Sequence, residues 1–277
     1  MRQEAVQYRK EGRLAFISLH RPERHNALNP YVMRTLSEIW RELDLDRDVR
    51  AAVLYGEGPS FCSGMDLKQT TPGFGYRSDC PDQIDPEERE QAARYEAKTG
   101  QRRRFNYVPP PTLSKPIVAA VHGRVAGGGM ELALSSDIRI AAEGTRFALP
   151  EVTRGIVPAS GGMVLLPRII GAGRAMEWLL TGDVFDADEA LRVGLVNKVV
   201  PQDALLDAAA AMANRIADNA PLAVQAIKET VIRAQGLTVA EGMAVSEQQA
   251  RVLIGSADYQ EGVRAFKEKR APMFRGE

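Results

Sequence analysis

A short apolar strand, a run of glycines and a helix in immediate succession narrow the fold of this chain most. Ile117 to Val121 is an apolar run of strand length, Gly127 to Gly129 read as a tight loop, and Met130 to Ser136 as a helix. Ile138 to Ala142 then reads as the next strand. The same alternation starts earlier. Val6 to Lys10 and Leu14 to Leu19 form an expected hairpin across Gly12, and Ala51 to Tyr55 a further strand. Between them, Asn29 suits a helix cap and Pro30 the first helical position, with Met33, Leu36, Ile39, Trp40 and Leu43 at helical spacing. Strands and helices alternating over the first ~200 residues predict an α/β fold.

From about Pro201 the pattern turns helical, over 203–219, 221–235, 238–253 and 258–270. Two regions are therefore expected, residues 1–200 and 201–277. Within the first, 69–112 is rich in proline, glycine and charge and reads as a mobile excursion rather than core, with a helix through Pro86–Arg104.

Composition excludes several classes of function. Lysine plus arginine and aspartate plus glutamate both number 36, a neutral balance unlike that of most nucleic-acid binders. Cys62 and Cys80 form neither a CxxC pair nor a zinc-spaced cluster, so a reducing cytoplasm, no disulfide framework and no metal are expected. The first ten residues carry no apolar stretch and no apolar run reaches ~18 residues, so neither a signal peptide nor a membrane span is expected. No G-x-S-x-G elbow is present, which argues against a serine hydrolase.

Two carboxylates remain. Glu131 follows the glycine run directly, and Glu151 follows Pro150. Taken alone, the glycines suit a tight turn, Glu131 a helix-dipole acid and Glu151 a cap or ion-pair partner. Brought into one pocket, they supply unhindered backbone N–H groups beside an acid/base pair, the equipment for making and quenching an enolate. The apolar neighbours of Glu131 would raise its pKa toward the working range of a general acid or base.

The chain resembles the crotonase superfamily, the enoyl-CoA hydratase/isomerase group, over nearly its whole length. The resemblance rests on Arg21-Pro22, Asn26-Ala-Leu-Asn29, Phe61-Cys-Ser-Gly-Met-Asp-Leu-Lys68, Lys115-Pro-Ile-Val-Ala-Ala-Val-His-Gly123, Ala126-Gly-Gly-Gly-Met-Glu131, Phe147-Ala-Leu-Pro-Glu151 and Gly194-Leu-Val-Asn197, in order. It implies a β-β-α superhelix followed by a helical region that makes trimers, often paired into hexamers. It implies hydration of a trans-2-enoyl-CoA to a 3-hydroxyacyl-CoA, with Glu131 and Glu151 as catalytic acids and the Met65 and Gly128 amides as oxyanion donors. Ala27, Leu28, Asp66, Leu67 and Lys68 match segments that line coenzyme A, and no metal, nicotinamide or flavin is implied. Arg24 is a candidate phosphate partner, or a solvated charge. Phe266 and Lys269 match positions that reach a neighbouring subunit's ligand, although Lys269 also reads as one more exposed cation. Arg102 to Arg104 read as a solvated helix face, and Cys62 as packing. Two positions depart from the family's common pattern: Met65 stands where alanine is frequent and Ala159 where glycine is. The alternatives are a crotonobetainyl-CoA hydratase, isomerase or C–C or thioester hydrolase on the same scaffold, and a non-catalytic CoA- or RNA-binding scaffold.

Overall fold

The computed structural model describes residues 5–67 and 106–277. Its main sheet has six strands: β1 (Val6–Glu11), β2 (Leu14–Leu19), β3 (Ala51–Gly56), β4 (Ile117–Val121), β6 (Ile138–Ala142) and β9 (Lys198–Val200), side by side in that order. The expected hairpin β1–β2 is antiparallel, and every later pairing in this sheet is parallel. A second sheet holds β5 (Arg124–Ala126), β7 (Arg146–Ala148) and β8 (Phe185–Asp186). Consecutive strands thus alternate between sheets, β4 to β5 and β6 to β7, and a helix returns the chain to the main sheet after β5 and again after β8. Cys62, bridged in parallel to Val125, adds an earlier turn to the second layer. This is the β-β-α spiral that the resemblance implies.

The strands read as continuous apolar runs because both faces of the main sheet are covered. Ala15, Ile17 and Leu19 of β2 with Ile117, Ala119 and Val121 of β4 face helix α1 (Pro30–Leu45), which turns Val32, Leu36, Trp40 and Leu43 onto them. Leu14, Phe16, Val118 and Ala120 face the other way. There they meet α6 (Leu205–Ala217), whose alanine-rich stripe Ala209, Ala213 and Ala217 allows close approach. At the start of α1, the Asn29 side chain accepts from the Val32 N–H at 2.9 Å, with Pro30 at the first position as expected.

Between β5 and β6 lies the short helix α2 (Gly128–Leu134), which begins two residues before the sequence-based start at Met130. After β7 come a 3-10 turn at Pro150–Arg154 and helices α3 (Gly162–Ile170), α4 (Ala172–Thr181) and α5 (Ala187–Arg192). Beyond α6 run α7 (Pro221–Ala234), α8 (Val239–Ile254) and α9 (Ala257–Glu268). Thr238 opens α8 with a reciprocal capping box to Glu241.

One expectation is corrected. The segment 69–112 is not an excursion throughout: Tyr107 and Val108 at its C-terminal end are buried in the main core. The Trp40 indole N–H donates to the Tyr107 carbonyl at 2.8 Å, tying this stretch to α1. Lys68, Cys80, the helix expected at Pro86–Arg104 and the arginines 102–104 lie outside the described residues.

Candidate active site

The site is built where two backbone segments touch. Leu28 N–H donates to the Gly64 carbonyl and Asp66 N–H to the Leu28 carbonyl, both at 2.8 Å. That parallel bridge turns the intervening Met65 amide to the opposite side. A Cβ on Gly64 would stand 3.3 Å from the Gly128 nitrogen, so the Met65 segment lies against the start of α2. Gly128 is the first residue of that helix, where an N–H has no intrahelical acceptor.

The glycines there have separate physical reasons. Gly127 adopts φ 53°, ψ −125°, a conformation that a side chain would strain. Gly128 has an ordinary φ, but a Cβ there would stand 2.8 Å from the Tyr107 hydroxyl and 3.0 Å from Leu28 Cδ1.

Both expected carboxylates line one cavity of about 240 Å3, together with Met65, Gly128, Tyr107, Ala159 and Ser160. They are provisioned unequally. Glu131 Oε1 accepts from the Ser160 N–H at 2.5 Å and the Gly162 N–H at 3.1 Å, and Oε2 from the Tyr107 hydroxyl at 2.9 Å. Burial pushes the Glu131 pKa up, and those donors oppose the rise. Glu151 Oε2 is buried with no hydrogen-bond partner among the described residues. Burial, reinforced by the negative charge of Glu131, raises the Glu151 pKa to about 7, against its own backbone N–H and the positive charge of Arg154.

Other expected residues fall in different places. Ala27 and Leu28 are buried beneath the cavity wall, held by Arg21, whose Nη1 donates to the Ala27 carbonyl at 2.5 Å. Asp66 turns its carboxylate to Arg21 at 3.2 Å and does not line the cavity. Leu67 lines the cavity and is exposed, and Arg24 is exposed outside it. Phe266, on α9, is exposed and borders a separate apolar groove with Leu222 and Tyr259. Lys269 ends α9 in a left-handed conformation, and one chain brings neither residue to the cavity. The Cys62 thiol is buried and pushed up to about 12, as a packing group would be.

Tyr107 and the Ser160 and Gly162 amides went unread in the sequence, as did Arg124 and Arg154 on the cavity wall. Unlike the Gly127 to Gly129 run, no local pattern marks the Ser160 and Gly162 amides as donors, and a single tyrosine ahead of Pro109-Pro-Pro111 gives no periodic signal. Among the described residues no group of three His, Cys, Asp or Glu is placed to hold a metal ion. No helix among them is long and apolar enough to cross a membrane.

Two spiral layers, with a glycine-lined cavity that carries paired buried carboxylates, define a crotonase-type architecture. The family model for enoyl-CoA hydratase/isomerase matches residues 9–277, and the chain belongs to that family. It is 40% identical over 264 residues to (E)-benzylidenesuccinyl-CoA hydratase of Thauera aromatica, covering 95% of this chain and 96% of the relative. It is 34% identical to the short-chain-enoyl-CoA hydratase of Clostridium acetobutylicum, covering 94% of each. Among solved structures, the enoyl-CoA hydratase of Mycobacterium tuberculosis H37Rv superposes with a TM-score of 0.83 at 35% identity, covering 99% of this chain and 100% of that one.

Proposed function

We propose that this protein is an enoyl-CoA hydratase that adds water, on one face, across the double bond of a trans-2-enoyl-CoA. The observation that carries this is the shared cavity of Glu131 and Glu151 with Gly128 in its wall. Glu131, fixed by three donors, takes a proton from water as the water oxygen bonds to C3. The double-bond electrons move through C2 onto the thioester oxygen, which the Met65 and Gly128 amides hold as an enolate oxygen. One such donor is worth about 3 kcal/mol of barrier. Glu151, with a pKa near 7, delivers its proton to C2. The product is a 3-hydroxyacyl-CoA, and the pair has exchanged which member carries the proton.

In this reading Ala27, Leu28, the Asp66 backbone and Leu67 line the pantetheine path, and Arg24 meets a phosphate. Phe266 and Lys269 serve a neighbouring subunit in a homotrimer or a dimer of trimers. Residues 201–277 form the oligomerisation region, supported by the exposed apolar Val239, Met243, Val252 and Ile254 of α8. The chemistry needs no metal, nicotinamide or flavin, and the protein works in the cytoplasm on a thioester rather than on a nucleic acid or a membrane.

A narrower acyl class is favoured by one observation. Arg124 and Arg154 line the cavity of the two glutamates, and both are exposed there. Cations at that wall suit an acyl chain that bears a free carboxylate, and the relative named for (E)-benzylidenesuccinyl-CoA agrees with this.

The test follows loss of the enoyl absorbance of crotonyl-CoA by the wild type and by a Glu131→Gln, Glu151→Gln double variant. Loss in the wild type alone supports hydration by the pair. Equal loss in both removes this mechanism, and no loss in either moves the reading to another acyl group or another reaction on the scaffold.

A further inference from the structure

We propose that Tyr107 is a positioning residue of the hydration, fixing the Glu131 carboxylate so that a single lone pair of Oε2 receives the attacking water. This rests on the hydratase reading above.

The phenol is an immobile group. Its ring is buried in the main core, its carbonyl is tied to the Trp40 indole at 2.8 Å, and its hydroxyl donates to Glu131 Oε2 at 2.9 Å. The hydroxyl also abuts Gly128, 2.8 Å from where a Cβ would stand. It therefore lies between the proposed base and a proposed oxyanion donor.

Counting lone pairs gives the consequence. An ionised carboxylate offers about four acceptor sites, two per oxygen. Ser160 and Gly162 occupy both sites on Oε1, and Tyr107 one of the two on Oε2. Carboxylate torsions are otherwise soft. With three donors in three directions the group is held, and water is directed to the remaining site on Oε2, beside the phenol oxygen. Tyr107→Phe keeps the ring and removes this constraint, together with the phenol's hydrogen bond to the Ser160 side chain.

The test compares wild type and Tyr107→Phe, each also in a Glu131→Gln background, by steady-state kinetics with crotonyl-CoA over a pH series, with melting curves to verify folding. We expect kcat to fall about tenfold to a hundredfold, the size of one hydrogen bond to a charged group, with KM changed little. The acidic limb should move to higher pH, because the lost donor had favoured the charged form of Glu131. The other titratable and charged groups around it, Glu151, Arg124, Arg154 and the protonated Cys62 thiol, stay in place. In the Glu131→Gln background the further loss should be much smaller, because Tyr107 acts through Glu131. An active wild type with undiminished kcat in the Phe variant overturns this inference alone. So does an equal loss in both backgrounds, which would mark a merely structural role. A wild type without activity on any enoyl-CoA removes the hydratase reading and this inference with it.

Discussion

Glu131 and Glu151 face one cavity, yet Glu131 accepts three hydrogen bonds while Glu151 keeps one oxygen buried and, among the described residues, unpartnered. The two therefore differ in where a shared proton rests. Donors favour the charged form of Glu131, whereas burial beside that charge favours the neutral form of Glu151, at about 7. In the proposed hydration the reactive state in either direction carries one proton on the pair. Water addition and its reversal should accordingly share one bell-shaped kcat/KM profile, because the overall reaction neither takes up nor releases a proton. The alkaline limb should fall at about pH 7, where the pair loses its last proton. Glu151→Gln should abolish that limb and lower kcat by about 10²- to 10⁴-fold. An alkaline limb that persists in this variant would assign the limb to another group.

The same raised pKa makes a statement about stability. The folded protein holds a proton on Glu151 that the unfolded chain releases at the ordinary carboxylate value of 4.5. Its stabilising contribution is complete below that value and is lost as pH rises through about 7. Relative to wild type, Glu151→Gln should therefore gain thermal stability from pH 5 to pH 8. Melting curves at both pH values test this, and a difference that does not depend on pH contradicts it.

Gly128 offers a steric test of the proposed oxyanion donor. A methyl group there meets the Tyr107 hydroxyl at 2.8 Å and Leu28 at 3.0 Å, and the phenol cannot retreat because its backbone is tied to Trp40. Gly128→Ala should displace the amide, costing about 10²- to 10³-fold in kcat, while overpacking costs about 1–3 kcal/mol of stability. A folded variant with wild-type kcat would separate the Gly128 amide from catalysis.

Much of this arrangement is legible in the sequence. Strands β3, β4 and β6 announced themselves as apolar runs because helices cover both faces, and Asn29-Pro30 announced α1 by its cap chemistry. Glu131 and Glu151 could be picked out because the glycine run and Pro150 set them in a recognisable frame. What was hidden depends on contacts that leave no local trace. Tyr107 reaches Glu131 across 24 residues, through a fold that its proline-rich surroundings disguise as a loop. The Ser160 and Gly162 donors are main-chain atoms, which any residue type carries. Helix α3 contains Pro167, a local signal against the helix that tertiary packing of Leu166 outweighs.

The proposed preference for an acyl chain with a free carboxylate can be tested at Arg154. Its Nη1 donates to the Pro150 carbonyl at 2.9 Å, which aims the guanidinium at the wall beside Glu151 and leaves other N–H groups available to an anion. Arg154→Leu should raise KM for an enoyl-CoA with a free carboxylate on its acyl chain by about tenfold, the order of one charge-assisted contact, and leave KM for crotonyl-CoA nearly unchanged. A second effect follows from the same charge. Arg154 holds the Glu151 pKa down, so its removal should move the alkaline limb above pH 7 with either substrate. Steady-state kinetics on the two substrates over a pH series reads both effects. A limb that moves while KM rises equally for both substrates would leave Arg154 as a neighbour of the catalytic pair and remove it from acyl recognition.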